Sequence, residues 1–253
     1  MIYYGLTDTG IVRSENQDTF RTKELRLTCV DSPALLCAVC DGMGGAAAGN
    51  LASEIASDSF IKYVERQIVA FDEDLSNPMN IPFEKLLRDG VRYANDAVLA
   101  AASETVAYKG MGTTLVGLLS VGELLYTVNI GDSRMYALYG EKLTQLTHDH
   151  SFVQTLIDNG TLSKESAKHH PGKNIILRAI GAQEVAEADI RLVSHIPDAL
   201  LLCSDGLSNM VKDDEIARVL RENEPKRACE ILVDMANKNG GKDNITVLAI
   251  KLG

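Results

Sequence analysis

The chain has 253 residues, 45% of them hydrophobic and 24% charged, a composition that suits a globular protein with a substantial core and excludes a disordered or low-complexity one. Its 25 Lys and Arg against 35 Asp and Glu leave a formal charge of −10, which argues against a nucleic-acid surface. No apolar run approaches the ~20 residues of a membrane span and no basic segment followed by an apolar stretch opens the chain, so the expectation is a cytoplasmic protein that binds neither nucleic acid nor membrane.

Residues 2–6, 19–30 and 35–40 read as strands, the third short and almost wholly apolar, like a strand buried on both faces. Two helical patterns follow, at 46–70 and 83–103. In the second, Phe83, Leu86, Leu87, Tyr93, Ala94, Ala97, Val98 and Ala101 trace an i, i+3, i+4 stripe. Asn77-Pro78-Met79-Asn80-Ile81-Pro82 breaks the chain between them. Residues 113–121, 124–129 and 134–139 form a meander joined by the turns Val121-Gly122-Glu123 and Gly131-Asp132-Ser133. A short helix at 151–159 ends at Gly160, and from there to about 187 polarity rises and the pattern weakens. Strands resume at 189–193 and 199–203, two helices follow with the second opening at Pro225, and 245–250 closes as a β-branched strand. Helices in consecutive pairs, not alternating with strands, predict an α+β fold of antiparallel sheets with segregated helices. With no repeat or linker, residues 1–253 read as one domain with one inserted lobe.

The five cysteines are Cys29, Cys37, Cys40, Cys203 and Cys229, mostly inside apolar runs, and read as reduced core thiols. Cys37-x-x-Cys40 has the redox spacing but lies in an extended run and not at a helix N-terminus, where a thiolate is favoured.

Four acidic signatures carry the chemistry: Arg13-Ser14-Glu15-Asn16-Gln17-Asp18, Asp41-Gly42-Met43-Gly44-Gly45, Ser204-Asp205-Gly206 and Lys242-Asp243-Asn244. Each sets an aspartate at a predicted strand end beside a turn former. Hard cations such as Mg²⁺ and Mn²⁺ take oxygen ligands, so carboxylates from separate strand ends suit a centre of more than one such ion. An aspartate directly after an apolar run, as at Asp41 and Asp205, is costly to bury unless paired or ligated. Arg13 supplies a planar fork of donors matched to phosphate oxygens.

With Met111-Gly112-Thr113-Thr114, Gly131-Asp132-Ser133-Arg134 and Thr147-His148-Asp149-His150-Ser151 placed between them, these motifs resemble, in order and spacing, the bacterial form of the PP2C-type metal-dependent protein phosphatase family. The resemblance runs from Thr7-Asp8-Thr9-Gly10 to Asp243-Asn244, essentially the whole chain. It implies a four-layer α-β-β-α sandwich with the metals at one end of two packed sheets and a flap formed by residues 160–187. It implies direct, metal-dependent hydrolysis of phosphoserine and phosphothreonine by a hydroxide bridging two Mn²⁺ or Mg²⁺ ions, with a third ion in some bacterial members. Asp41 is then the bridging ligand, the Gly42 carbonyl a ligand of one ion, and Asp205 and Asp243 ligands of the first metal. Asp18 and Gln17 hold waters on the second, Asp132 matches the third ion's ligand, and Arg13 clamps phosphate. Arg13, Asp41 and Asp205 are the catalytic set. The implied partners are phosphorylated proteins, substrates of a Ser/Thr kinase, and the expected state is a monomer.

Two positions depart from the pattern. Gln17 stands where the family often has glutamate, and its amide can accept a hydrogen bond from water but adds no charge. Met43 follows Asp-Gly where many eukaryotic relatives carry histidine, and cannot donate a proton. His148 and His150 are alternatives by residue type, but capping of the next helix is the reading preferred for them, and His169-His170 read as solvated. No Cys-x₅-Arg loop is present. Alternative functions are a pseudophosphatase acting as a binding module, or a regulator or small-molecule phosphohydrolase of the same fold.

Overall fold

Strands that carry apolar side chains on both faces need a layer on each side of them, and this chain supplies those layers. The computed structural model describes residues 1–28, 30, 33–74 and 81–252. Cys29 and residues 77–80 of the predicted 77–82 break lie outside the described residues. In chain order the elements are β1 (Ile2–Asp8), β2 (Asp18–Leu25), β3 (Ala34–Met43), α1 (Ala46–Asp74), α2 (Phe83–Glu104), β4 (Gly112–Thr113), β5 (Leu115–Val121), β6 (Leu124–Ile130), β7 (Arg134–Tyr139), β8 (Lys142–Gln145), α3 (Phe152–Asp158), α4 (Lys164–Ala167), β9 (Asp189–Leu192), β10 (Ala199–Cys203), α5 (Asp205–Ser208), α6 (Asp213–Glu222), α7 (Pro225–Lys238) and β11 (Ile245–Lys251). One sheet runs β1-β11-β10-β7-β8 and the other β2-β3-β5-β6-β9, with β4 on β3, and every pairing is antiparallel.

Period-two alternation sorts the core into three slabs. Leu35, Cys37 and Val39 of β3 meet Leu200 and Leu202 of β10 and Leu248 and Ile250 of β11 between the sheets. Leu36, Ala38 and Cys40 of β3 face the other way, onto Phe60 and Val64 of α1 and Leu87, Val91 and Ala94 of α2. On the far side, Leu201, Cys203, Val247 and Ala249 pack against Ile216 and Leu220 of α6 and Cys229 and Leu232 of α7. The layers are therefore α-β-β-α, as expected. Cys37 and Cys40 sit on opposite faces of β3, both buried and unbonded, and burial pushes the Cys37 thiol up to about 12. The redox spacing is structural.

Several element bounds differ from the sequence reading, and some short elements are new. β2 stops at Leu25 and not near residue 30, because the Thr28 amide donates to the Asp72 carboxylate of α1, at 3.0 and 2.9 Å to its two oxygens, and not to a strand. β3 runs on past Cys40 to Met43, because β4 pairs Gly42 with Thr113 and Met43 with Gly112. Asp41 thus lies inside the end of a strand, not in a free loop. The polar strand β8 and the four-residue helices α4 and α5 appear without a predicted counterpart.

Candidate metal centre

Antiparallel pairing brings the start of one strand beside the end of its neighbour, and here it gathers the predicted aspartates at one end of both sheets. Asp18 opens β2 directly opposite Asp41 near the end of β3. In the other sheet Cys203, at the end of β10, pairs with Val247 on one side and Arg134 on the other. That register sets Asp205 beside the segment carrying Asp243 and the turn carrying Asp132. All seven residues singled out from sequence, Arg13, Asp18, Asp41, Gly42, Asp132, Asp205 and Asp243, belong to this end of the fold.

Hydroxyl groups fix the carboxylates from below. The Asp41 amide donates to Thr114 Oγ1 at 3.0 Å, and that hydroxyl shares a 2.7 Å hydrogen bond with Ser133 Oγ, so β3 is tied to the Asp132 turn across the two sheets. The Asp41 carbonyl accepts from the Thr114 amide and from Thr113 Oγ1, both at 2.9 Å. Ser204 Oγ donates to Asp18 Oδ2 at 2.6 Å and accepts from the Thr246 amide at 3.0 Å, a second tie between sheets. Asn244 closes the rim: its Oδ1 accepts from the Gln17 amide at 2.8 Å and its Nδ2 donates to the carbonyls of Thr9 and Glu15.

The glycines of the Asp-Gly pairs are there for close approach and not for loop flexibility. A Cβ on Gly42 would stand 2.1 Å from the Gly49 carbonyl oxygen, and one on Gly206 would stand 1.9 Å from that of Asn244. Gly131, before Asp132, adds a φ of +110° that L side chains rarely adopt.

Burial and mutual repulsion raise these carboxyls. Asp41 is driven well above the ordinary carboxylate range by desolvation and then by the charges of Asp18, Asp205, Asp132 and Asp243. Asp18 rises to about 7 through desolvation, which the Ser204 hydrogen bond opposes. Asp132 rises to about 8 through desolvation and the charges of Asp205 and Asp149. Asp205 is also raised, by desolvation and Asp243, and a hydrogen bond from Asp41 opposes the rise. Arg13 Nη2 lies 2.7 Å from Asp243 Oδ2, with side-chain exposures of 52% and 36%. Arg134 is committed elsewhere, its guanidinium gripping Asp149 at 2.6 to 3.0 Å.

This donor set fits divalent cations. Asp18 Oδ1 and Asp132 Oδ1 are buried with no hydrogen-bond partner, a costly arrangement unless a ligand supplies the missing contact. The available groups are all oxygen, the preference of Mg²⁺ and Mn²⁺. Among the described residues no three His, Cys, Asp or Glu side chains already surround one point as ligands. Asp243 is turned to Arg13 instead.

Some expectations change. Neither His148 nor His150 caps α3: Ser151 does, its hydroxyl accepting from the Gln154 amide at 3.3 Å. His148 Nε2 pairs with Asp158 at 2.8 Å near the end of that helix, and His150 is buried beneath the Asp132 turn. His170 Nδ1 accepts from the Gly172 amide and its ring lies against Phe152, with no place among the carboxylates. Gln17 packs its amide under the start of α1, donating to the Gly45 carbonyl at 3.4 Å. The sequence reading missed the supporting groups Thr113, Thr114, Ser133, Ser204 and Thr246, and Lys173, whose charge acts on Asp205. Thr113, Thr114, Ser133 and Ser204 stand inside the Met111–Thr114, Gly131–Arg134 and Ser204–Gly206 motifs, whereas Thr246 and Lys173 stand in none. An apolar cavity of about 340 Å³ lined by Leu138, Ala199, Leu220, Pro225 and Ala249 opens at the opposite end of the sheet, remote from the carboxylates.

A sequence profile described as Protein phosphatase 2C matches residues 12–234. The chain is 37% identical over 250 residues to the serine/threonine phosphatase stp of Listeria monocytogenes, covering 97% of this chain and 93% of that one. Its fold superposes on the serine/threonine phosphatase Stp1 of Staphylococcus aureus with a TM-score of 0.85 at 33% identity, over 99% of this chain and 94% of the other. The catalytic domain of the serine threonine protein phosphatase PstP, crystallised in complex with 2 manganese ions, matches at 0.77 and 34% identity over 98% and 96% of the two chains.

Proposed function

The chain belongs to the protein phosphatase 2C family and is a metal-dependent serine/threonine protein phosphatase, and from that premise we propose how its own residues do the work. Asp41, the Gly42 carbonyl, Asp205 and Asp243 would hold a core pair of Mn²⁺ or Mg²⁺ ions, Asp18 would accept hydrogen bonds from water at that centre, and Asp132 would hold a third ion. The observation that carries this is the set of mutually repelling, buried carboxylates around Asp41. When bound, the ions supply Lewis acidity towards water and phosphoryl oxygens. Arg13 presents its fork to the phosphoryl oxygens and holds phosphorus in line for direct hydrolysis. Met43 has no proton to give, and neither His148 nor His150 faces the carboxylates with a free ring nitrogen, so no side chain here is assigned as the acid for the leaving alkoxide.

Residues 160–187 act as a flap beside the site, within a single domain spanning 1–253. The substrates are phosphoserine and phosphothreonine proteins made by a Ser/Thr kinase, handled by a cytoplasmic monomer. No helix among the described residues is long and apolar enough to cross a membrane. The test is phosphate release, with and without Mn²⁺, from a phosphothreonine peptide, p-nitrophenyl phosphate and nucleotides. Mn²⁺-dependent release favouring the peptide is expected. Preference for nucleotides would move the chain to the small-molecule phosphohydrolases, and no release at all to the pseudophosphatase binding modules.

A further inference from the structure

The Thr147–Ser151 motif has no part in the chemistry just described, yet His150 within it is bonded on two sides. Towards the carboxylates, its Nδ1 accepts from the Gly131 amide at 3.2 Å and its own amide donates to the Gly131 carbonyl at 2.9 Å. One histidine therefore holds both backbone groups of the residue that precedes Asp132. Towards the 160–187 segment, the His150 carbonyl accepts from the Leu177 amide at 2.7 Å. Its Nε2, which has no hydrogen-bond partner, faces Asp189 Oδ2 of β9 at 3.6 Å, and Asp189 Oδ1 in turn lies 3.5 Å from Arg178 of that segment. Because Nδ1 accepts, the neutral ring carries its proton on Nε2, aimed at Asp189.

Asp132 needs such support. Its Oδ1 is buried without a hydrogen-bond partner, so its placement comes from the backbone of its turn. That turn has Gly131 at φ +110°. Asn129 braces the same loop, donating from Nδ2 to the His148 carbonyl at 2.9 Å. Groups that orient a ligand without touching the ion commonly matter for metal affinity and activity. We infer that His150 is a positioning residue that ties the Asp132 turn to the 160–187 segment, so that this carboxylate and the flap are held as one unit. The inference rests on the reading of Asp132 as a functional carboxylate. It assigns His150 an effect on phosphopeptide turnover without contact to substrate.

Two variants separate the arms. His150→Asn keeps an acceptor where Nδ1 stands and loses the arm to Asp189, whereas His150→Gln keeps a donor where Nε2 stands and loses the acceptor for Gly131. Amide hydrogen exchange is read by NMR on the metal-free, full-length protein. His150→Gln is expected to speed exchange at Gly131 roughly tenfold, the loss of about one hydrogen bond, while His150→Asn leaves Gly131 near wild type. With Mn²⁺, His150→Gln should lower kcat on a phosphothreonine peptide about tenfold and spare p-nitrophenyl phosphate, a good leaving group. His150→Asn should raise KM for the peptide and keep kcat. Asp189→Asn, in a partly exposed strand position, reports the flap arm if the histidine variants fail to fold, and should reproduce the KM rise. Wild-type exchange and kinetics in all soluble variants, or equal losses on both substrates with no split between KM and kcat, would overturn the inference. If Asp132→Ala shows no contrast between substrates while Gly131 exchange still responds to His150→Gln, the role of Asp132 fails and the structural tie stands.

Discussion

Arg13→Ala should move metal binding and catalysis in opposite directions. In the structure the guanidinium is paired with Asp243 at 2.7 Å, and both side chains are more than a third exposed. Exposed pairs of this kind contribute about 0.2–1 kcal/mol after solvent screening, so releasing Asp243 to a cation should tighten Mn²⁺ binding by at most about fivefold. The phosphate contact is worth more. A hydrogen bond to a charged group contributes about 1.5–3 kcal/mol, which places the fall in kcat/KM for a phosphothreonine peptide at roughly ten- to a hundredfold. Calorimetric Mn²⁺ titration and Michaelis kinetics at saturating Mn²⁺ measure the two effects separately. Arg13→Lys, which keeps the charge but loses the fork, should fall between wild type and alanine on the kinetic axis. Weaker metal binding in Arg13→Ala, or a kcat/KM within about twofold of wild type, would refute the reasoning and leave Arg13 a structural partner of Asp243.

Asp41→Asn and Asp205→Asn should each abolish phosphate release, yet the metal-free proteins should unfold at a higher temperature than wild type, because each change removes one of several buried, mutually repelling carboxylates; a lowered midpoint in EDTA would contradict this. Asp18 and Asp132 are raised from 3.8 to about 7 and about 8, so the folded metal-free protein keeps protons that the unfolded chain releases. Their contribution to stability is therefore complete below the unfolded value and is lost as pH climbs through the folded ones, and urea midpoints in EDTA should fall between pH 5 and pH 8 (both values approximate). For the same reason Mn²⁺ must displace protons, and its apparent affinity should weaken as pH drops below about 7, with proton uptake by the buffer visible in calorimetry. Asp132→Ala should leave two tight Mn²⁺ sites and reduce turnover of the phosphopeptide more than that of p-nitrophenyl phosphate, whose leaving group needs little acid assistance; equal loss on both substrates would return Asp132 to a turn residue.

The layered fold was legible because its central strands announce themselves. Residues 199–203 are an uninterrupted apolar run and 245–250 an apolar run broken only by Thr246, both bounded by polar residues, and β10 and β11 form there almost residue for residue. The long stripe from Phe83 likewise becomes α2, with Phe83, Leu86, Leu87, Ala94 and Val98 buried, although Tyr93 of that stripe is exposed and Val91, outside it, is buried. Where the reading slipped, the deciding contact was tertiary. Nothing in the 19–30 segment announces that the Thr28 amide goes to Asp72 on a helix, which ends β2 early. The extension of β3 through Asp41 depends on Gly112 and Thr113 arriving from the far side of two helices. β8 is a half-exposed edge strand without apolar alternation, and α5 is a single turn, so neither leaves a periodic mark.

The site divides along a different line. Its aspartates were legible, since a carboxylate at the end of a buried run is expensive and invites a reason. Their neighbours were not, because serine and threonine are unremarkable residues until the register places Thr114 on Ser133 and Ser204 on Asp18. The choice of neutral hydroxyls has a consequence for function. Had arginines occupied those positions, Asp41 and Asp18 would be satisfied ion pairs, settled at low pKa and with little to gain from a divalent cation. Instead, among the described residues the arginine paired with a member of the set is Arg13, on the exposed rim at Asp243, where the pair is weak enough to open. Arg134, the cation best placed to neutralise Asp132, is locked onto Asp149. Among its described residues the chain thus pairs no buried cation directly with these carboxylates and places them with hydroxyl and amide contacts that fix position without cancelling charge. The centre is left short of positive charge, a deficit that a divalent cation would relieve.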